Sequence, residues 1–321
     1  MREIIINVNE SDQRLDRFLK KYLANATTGF IYKMIRKKNI KLNEERAKPE
    51  SMIFEGDKVQ LYLAEETIIK FEAAQEEVKT DLKLDIIYED DNIVLINKEL
   101  GMLSHGRGGE FEENVVDSLI SYLIRKGDYV PRIEKTFTPS ICNRLDRNTS
   151  GLIIGAKNYQ SLKLINEALK ALEIRRFYKT IVKGEMKHAS KEKAYLLKNE
   201  EKNRVEISSQ DFEGSKEIIT RVVPIDSRGG YSLLEVELVT GRTHQIRGHL
   251  SSLGYPLIGD RKYGNSVANK EFKESYGIEN QILHSYKVEF NGLKDSMEYL
   301  NGKTFQAPTS SIFKKLEEDL F

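Results

Sequence analysis

The sequence predicts an α+β fold in two unequal parts, a small basic αβ module followed by a larger mixed domain built mainly on antiparallel sheet. Three observations carry this expectation. The 321 residues correspond to roughly two domains at about 150 residues each. The formal charge is only +1, from 51 Lys and Arg against 50 Asp and Glu, but it is unevenly spread. Residues 14–48 hold eleven basic residues and three acids, whereas residues 64–91 hold ten acids and three lysines. Finally, the spacing of apolar residues changes from helical to strand-like after about residue 81. We therefore expect a module at residues 1–64, an acidic linker at 65–80 and a second domain at 81–321.

In the module, Leu15, Phe18, Leu19, Tyr22 and Leu23 fall on one helical face, with Ser11 as the expected N-cap. Ile31, Met34 and Ile35 repeat that spacing after Thr27 and Thr28, and the basic run Arg36, Lys37 and Lys38 follows at the helix end. Ile40 and Leu42, then Val59, Leu61 and Leu63, alternate as short strands. In the second domain NIVLIN, GLIIGAK, FYKTIVKG and SLLEVELV are strand-like, with Glu235 and Glu237 expected on an open face. Leu162, Ile165, Leu169 and Leu172 read as one helix, and Ile246, Leu250 and Leu253 as another ahead of Gly254.

Composition excludes several classes. With 39% apolar residues and 31% charged residues of nearly balanced sign, the chain reads as folded. The longest stretch without Asp, Glu, Lys or Arg is residues 248–259, too short for a membrane helix of about 20 residues. The opening MREIIINVNE lacks the apolar run of a secretory signal, and the single Cys142 cannot close an intrachain disulfide, so a cytoplasmic setting is expected. No glycine-rich nucleotide fingerprint, P-loop, HExxH or GxSxG motif occurs. Chemistry without metal or cofactor, or binding without chemistry, remains.

Two segments concentrate reactive side chains. In NRLDRNTSGLIIGAKN, residues 143–158, Asp146 sits between Arg144 and Arg147 just before an apolar strand. Desolvation alone would neutralise such a carboxylate, whereas an adjacent arginine favours its ionised form. An ionised, partly desolvated carboxylate is a competent nucleophile toward an electron-poor carbon, and a structural Arg–Asp pair closing a loop is the other use of the same residues. In TGRTHQIRGHLSSLGYPLIGDRKYG, residues 240–264, Arg242, His244, Gln245 and Arg247 cluster where Thr243 is expected to cap a helix. Donors at a helix start favour an anion, either phosphate or the carboxylate itself. His249 reads as a satisfied core residue, Lys98 beside the Gly101 turn as a solvated lysine, and Cys142 as a small buried filler.

At these segments the sequence resembles the RluA-type family of pseudouridine synthases over essentially the whole of residues 81–321. NRLDRNTSGL is similar to the family's catalytic segment, RTHQIRGHLSSLGYPLIGDRKYG to its long C-terminal motif, DIIYEDDNIVLINKELG to its opening strand and RRFYKTIVKGE to the strand carrying an active-site tyrosine. RLDRFLKKYL, YKMIRKKNIKLN and GDKV in front resemble an S4 RNA-binding domain, which points to the subgroup acting on large-subunit ribosomal RNA. The chain departs from the family at Asn143, Asn148 and Glu99, where a His, an acid and a Pro are usual.

The resemblance implies roles residue by residue. Asp146 would be the nucleophile, Tyr178 the stacking partner of an extruded uracil, Arg247 the cation orienting Asp146 and Leu250 a wall of the uracil pocket. Arg144 would brace the flipped strand, and Arg147, Arg242, His244, Gln245, Arg36, Lys37 and Lys38 would contact RNA. Because pseudouridine is an isomer of uridine, no cofactor or metal is implied, and the partner would be RNA. A monomer is expected separately, because no heptad or exposed apolar stripe in the sequence asks for a partner. A non-catalytic RNA-binding assembly factor, the same chemistry on transfer RNA, and a glycosidase-like hydrolase are the other readings. The last needs a second, positioned carboxylate.

Overall fold

In the computed structural model, residues 1–72, 80, 83–106, 112–129 and 137–321 are described. The acidic linker expected at 65–80 lies outside the described residues for 73–79. Its first part is helical and belongs with the module.

The N-terminal unit runs β1 (Arg2–Ile5), β2 (Gln13–Arg14), α1 (Leu15–Tyr22), α2 (Thr28–Arg36), β3 (Ile40–Leu42), β4 (Glu45–Arg46), β5 (Met52–Ile53), β6 (Lys58–Leu61) and α3 (Glu65–Phe71). Leu15, Phe18, Leu19 and Tyr22 of α1 pack against Ile31 and Ile35 of α2 and against Val59 and Leu61 of β6, as their spacing predicts. Thr27 caps α2 by accepting the Phe30 N–H. Ser11 does not cap α1. Its hydroxyl donates to the Val8 carbonyl, and Arg14 stands at the helix start with its side chain on Asp16. Ile68 of α3 is wholly buried in this same core, so an apolar residue outweighs the acidic composition around it.

The larger part contains β7 (Ile86–Glu89), β8 (Ile93–Lys98), α4 (Val115–Lys126), β9 (Ser140–Ile141), β10 (Ser150–Ala156), α5 (Tyr159–Lys170), β11 (Ile174–Lys183), β12 (Ser190–Asn199), β13 (Arg204–Ser208), β14 (Lys216–Arg228), β15 (Tyr231–Leu238), α6 (Gln245–Ser252), α7 (Ser266–Tyr276), β16 (Leu283–Phe290), a short 3₁₀ turn (Asp295–Leu300), β17 (Thr304–Gln306) and α8 (Ser311–Leu320). Its sheet follows the order β13-β12-β14-β15-β11-β16-β10-β8-β7, with β9 on β10 and β17 on β16. All pairs are antiparallel except β10 with β16.

At β8 and β10 both faces of the sheet are covered, which is why these strands read as nearly continuous apolar runs. Val94, Ile96 and Ile153 point into one core with Leu119 of α4 and Ile246 of α6. Ile93, Leu95, Leu152 and Ile154 point into the other with Ile165 of α5. Four expectations fail at element ends. Leu172 lies past α5 in a left-handed conformation and is exposed, and Leu253 lies past α6. Thr243 does not cap α6, because His244 occupies that position with φ +53°. Glu237 is buried rather than open, since Arg175 and Arg221 cover it from the flanking strands.

The parallel join is the feature that builds the site. Gly151 of β10 lies opposite Ser285 of β16, and Ser285 lies opposite Tyr178 of β11, so one row across three strands carries Tyr178 toward the loop before β10. Gly151 has φ +109°, and a Cβ there would sit 2.1 Å from the Ser285 carbonyl oxygen. Gly151→Ala is therefore expected to cost about 3 kcal/mol or more through combined strain and overlap, read as a lowered denaturation midpoint. An unchanged midpoint would show that the row tolerates separation.

Candidate active site

Residues 143–149 form the loop between β9 and β10, and its backbone is tied down at almost every step. Asn143, buried, donates to the Leu152 carbonyl and accepts the Ile154 N–H, so its amide is a brace between backbone groups. Ser104 Oγ donates to the Leu145 carbonyl and accepts the Leu145 N–H. Asn148 Nδ2 donates to Asn280 Oδ1 at 2.7 Å. Beneath the loop Lys98 is 1% exposed, contrary to the solvated position expected, and its Nζ donates to the carbonyls of Glu99, Met102 and Arg147 at 2.8, 2.9 and 3.0 Å. Three carbonyls receive the three N–H bonds of an ammonium.

Burial draws the Lys98 pKa down to about 7, with the Asp146 charge opposing the shift. In an unfolded chain a lysine releases its proton near 10.4. Between these pH values the unfolded state binds more protons, so the lysine's contribution to stability improves as pH rises from 7 and is least favourable below it. Relative to Lys98→Met, the wild-type protein is expected to gain about 2 kcal/mol in unfolding free energy from pH 7 to pH 9, measured by denaturant titration. A loss over that range would contradict the assignment.

So held, the loop presents Asp146. Its Oδ2 accepts from Arg247 Nη1 at 2.8 Å, and Arg247, only 6% exposed, reaches back through Nε and Nη2 to both oxygens of Asp260 at 2.7 and 3.0 Å. Asp260 Oδ1 also accepts the N–H groups of Lys262 and Tyr263. Burial raises the cost of charge on both partners, yet the forked contact holds the Asp260 carboxyl below its usual range and Arg247 above its own. Arg247 is thus a fixed cation bonded to two carboxylates, one wholly internal and one facing open space.

Three cavities meet at Asp146. A cleft of about 660 Å³ is lined by Arg144, Arg147, Lys198 and Lys262, among others. A second, of about 580 Å³, is lined by Arg144, Lys170, Arg176 and Arg242. A recess of about 50 Å³ holds Tyr178, Leu238, Ile246 and Leu283 together with Asp146 and Arg247. Arg144 lines all three, is exposed, and has no hydrogen-bond or ion-pair partner among the described residues.

The structure brings together Asp146, Arg247, Tyr178, Arg144, Arg147, Arg242 and His244. Arg147 is partly engaged, donating to the Gly101 carbonyl and pairing with Glu112. Three expected ligand contacts turn out otherwise. Gln245 is 2% exposed and spends its amide on Ile219, Thr220, Thr240 and the Arg242 N–H, so it fastens α6 to β14 and does not face a ligand. Leu250 is wholly buried in the core behind Tyr178, and Leu238, Ile246 and Leu283 supply the apolar wall instead. His244 turns its ring inward, and burial lowers its pKa to about 4, which leaves it neutral and removes it as a phosphate cation. His249 is the satisfied core residue expected, bonded through Nδ1 to Thr220 Oγ1. The Cys142 thiol is pushed up to about 12 by burial.

Arg36, Lys37 and Lys38 lie in the N-terminal unit, are all exposed, and line none of the three cavities at Asp146. Arg36 lines a separate cleft of about 570 Å³ with Lys33, Arg46, Lys48 and Tyr32. Asp260 is the residue that sequence reasoning missed, and Lys98 the one whose burial it did not foresee.

The profile described as RNA pseudouridylate synthase matches residues 92–252, which span the Asp146 loop, Tyr178 and Arg247. Near-full-length relatives agree: an RNA pseudouridine synthase of Mycoplasma capricolum is 31% identical over 94% of this chain and 96% of that protein. The chain belongs to the RNA pseudouridylate synthase family. Ribosomal large subunit pseudouridine synthase C of Haemophilus influenzae is 30% identical to this synthase over 98% of the chain and 95% of that protein, and the Escherichia coli protein of the same name is 30% identical over 89% and 88%. The fold of the synthase also matches human RNA pseudouridylate synthase domain containing 4, with a TM-score of 0.56 at 19% identity, covering 72% of this chain and 91% of that one. No helix among the described residues is long and apolar enough to cross a membrane.

Proposed function

We propose that this synthase isomerises specific uridines of large-subunit ribosomal RNA, with Asp146 as the nucleophile acting on a turned-out nucleotide. The observation that supports it most is the placement of the Asp146 carboxylate, bonded at 2.8 Å by a buried arginine, where two arginine- and lysine-lined clefts and an aromatic recess converge. The clefts suit the phosphates on either side of the target, and the recess beside Tyr178 suits one planar base. Extruding a nucleotide costs a few kcal/mol. Arg144, without a hydrogen-bond or ion-pair partner among the described residues and common to all three cavities, is the side chain that fills or braces the vacated position.

Asp146 attacks the uracil ring or the ribose anomeric carbon. The bond from C1′ to N1 breaks, the bond from C1′ to C5 forms, the C5 hydrogen leaves as a proton and N1 takes one up, so the product is an isomer. The hydrolase reading finds no support in Asp260, which is internal and fully engaged by Arg247 and two backbone N–H groups. The N-terminal residues 1–64, with their basic cleft, act as an S4-like module that holds the RNA outside the catalytic centre.

The test is to incubate unmodified large-subunit ribosomal RNA and transfer RNA transcripts with the protein and map new pseudouridines chemically. New sites in the ribosomal RNA are expected. Sites only in transfer RNA would reassign the substrate, and RNA binding with no new site would favour an assembly factor.

A further inference from the structure

Besides Arg247, one ring nitrogen of His244 lies near Asp146. The turn at residues 260–264 pins Tyr263, whose N–H bonds to Asp260 Oδ1, so the phenol is fixed between α6 and β13. Its hydroxyl oxygen accepts the Val205 N–H at 2.7 Å and lies 2.9 Å from His244 Nδ1. The Val205 N–H fills one acceptor position of the phenol oxygen and leaves the phenol's single hydrogen free to point to Nδ1. With the phenol as donor, the neutral imidazole is the Nε2–H tautomer. Nε2 in turn lies 3.8 Å from Asp146 Oδ2, about 1 Å beyond a hydrogen bond. The charged groups around this ring are Asp146, Arg247, Asp260 and Lys262.

Oδ2 is also the oxygen that Arg247 holds, whereas Oδ1 has no partner among the described residues. We propose that His244 is a positioning residue, locked by Tyr263 and the Val205 backbone as the Nε2–H tautomer, whose N–H dipole 3.8 Å from Asp146 Oδ2 supports the Arg247 hydrogen bond to that oxygen, so that Oδ1 is the oxygen that attacks. This rests on the reading of Asp146 as the nucleophile. It also explains why a histidine in a left-handed conformation, φ +53°, stands at the start of α6: the strained backbone aims the ring between Tyr263 and Asp146.

The test has two arms on the full-length protein. In protein labelled with ¹⁵N-histidine, long-range ¹H–¹⁵N correlation, assigned by the signal lost in His244→Gln, should show His244 protonated on Nε2 and bare on Nδ1 at neutral pH. Tyr263→Phe should turn this into a tautomer mixture. A proton on Nδ1 in the wild type, or no change in Tyr263→Phe, would overturn the lock. In the second arm, single-turnover rates on saturating RNA should fall about tenfold in His244→Ala with RNA affinity unchanged. His244→Gln, whose amide donor reaches the Nε2 position, should recover much of that loss, and His244→Asn, whose donor stops short at the Nδ1 position, should not. Equal rates in the Gln and Asn variants would overturn the positioning role. Full turnover by Asp146→Asn would instead overturn the nucleophile assignment, without touching the tautomer result.

Discussion

Asp146→Asn is expected to lower turnover by at least about 10⁴-fold while leaving RNA affinity within about threefold of the wild type. The amide keeps the shape of the carboxylate and can still accept from Arg247, so the loop should hold its place. What it loses is the anionic oxygen that attacks carbon. Binding should survive because the lysines and arginines of the two clefts, and those of the N-terminal unit, supply the phosphate contacts independently of residue 146. Filter binding and pseudouridine mapping on the same RNA separate the two effects. A variant that retains turnover would remove Asp146 from the chemistry, and one that loses RNA affinity in parallel would make it a binding residue.

The second large effect belongs to Arg247. Arg247→Met leaves Asp260 as a buried carboxylate bonded only by backbone N–H groups, and stripping one partner from such a pair costs about 3–5 kcal/mol. Turnover should fall by at least about 10²-fold as well, because Asp146 loses the contact that aims it. Should the Met variant fail to fold, Arg247→Lys keeps the charge but cannot form the fork to Asp260 while also reaching Asp146. It should fold, bind RNA and turn over slowly. Wild-type turnover by the Lys variant would mean that charge alone suffices and the forked geometry is dispensable.

Much of the architecture was legible in the chain because a single physical pattern governs it. The helical face of Leu15, Phe18, Leu19 and Tyr22, and the apolar runs of β8 and β10, bury what their periodicity says they should. The link between Asp146 and Arg247, 101 residues apart, was reached through resemblance, since no local pattern joins them. What the sequence hid were cases where a polar side chain is satisfied by a distant element. Residues Gln245, Ile246, Arg247, Gly248, His249 and Leu250 of α6 are all buried. The helix is covered on its outer side by β13, with Val205 and Ile207 so close to Gly248 that a Cβ there would lie within 3 Å of both.

A cluster of donors that looked ready for RNA is therefore largely internal. Gln245 bonds to β14, and His244 faces Tyr263 and Asp146. Lys98 reads as solvated for the same reason: a lysine beside a turn glycine is solvated unless carbonyls from elsewhere converge on it, and here one comes from Arg147, 49 residues away. Asp260 stood in view within the GDRK turn but carried no mark of burial, because its neighbours in sequence are charged and its cover comes from α6.

The most direct test of the central claim is tritium release from RNA carrying tritium at uridine C5, under single-turnover conditions with large-subunit ribosomal RNA. The wild-type protein should release the label into water, about one tritium per modified uridine, while Asp146→Asn binds the same RNA and releases none. Tight binding by the wild type without release, or equal release by both proteins, would contradict a mechanism that runs through this carboxylate.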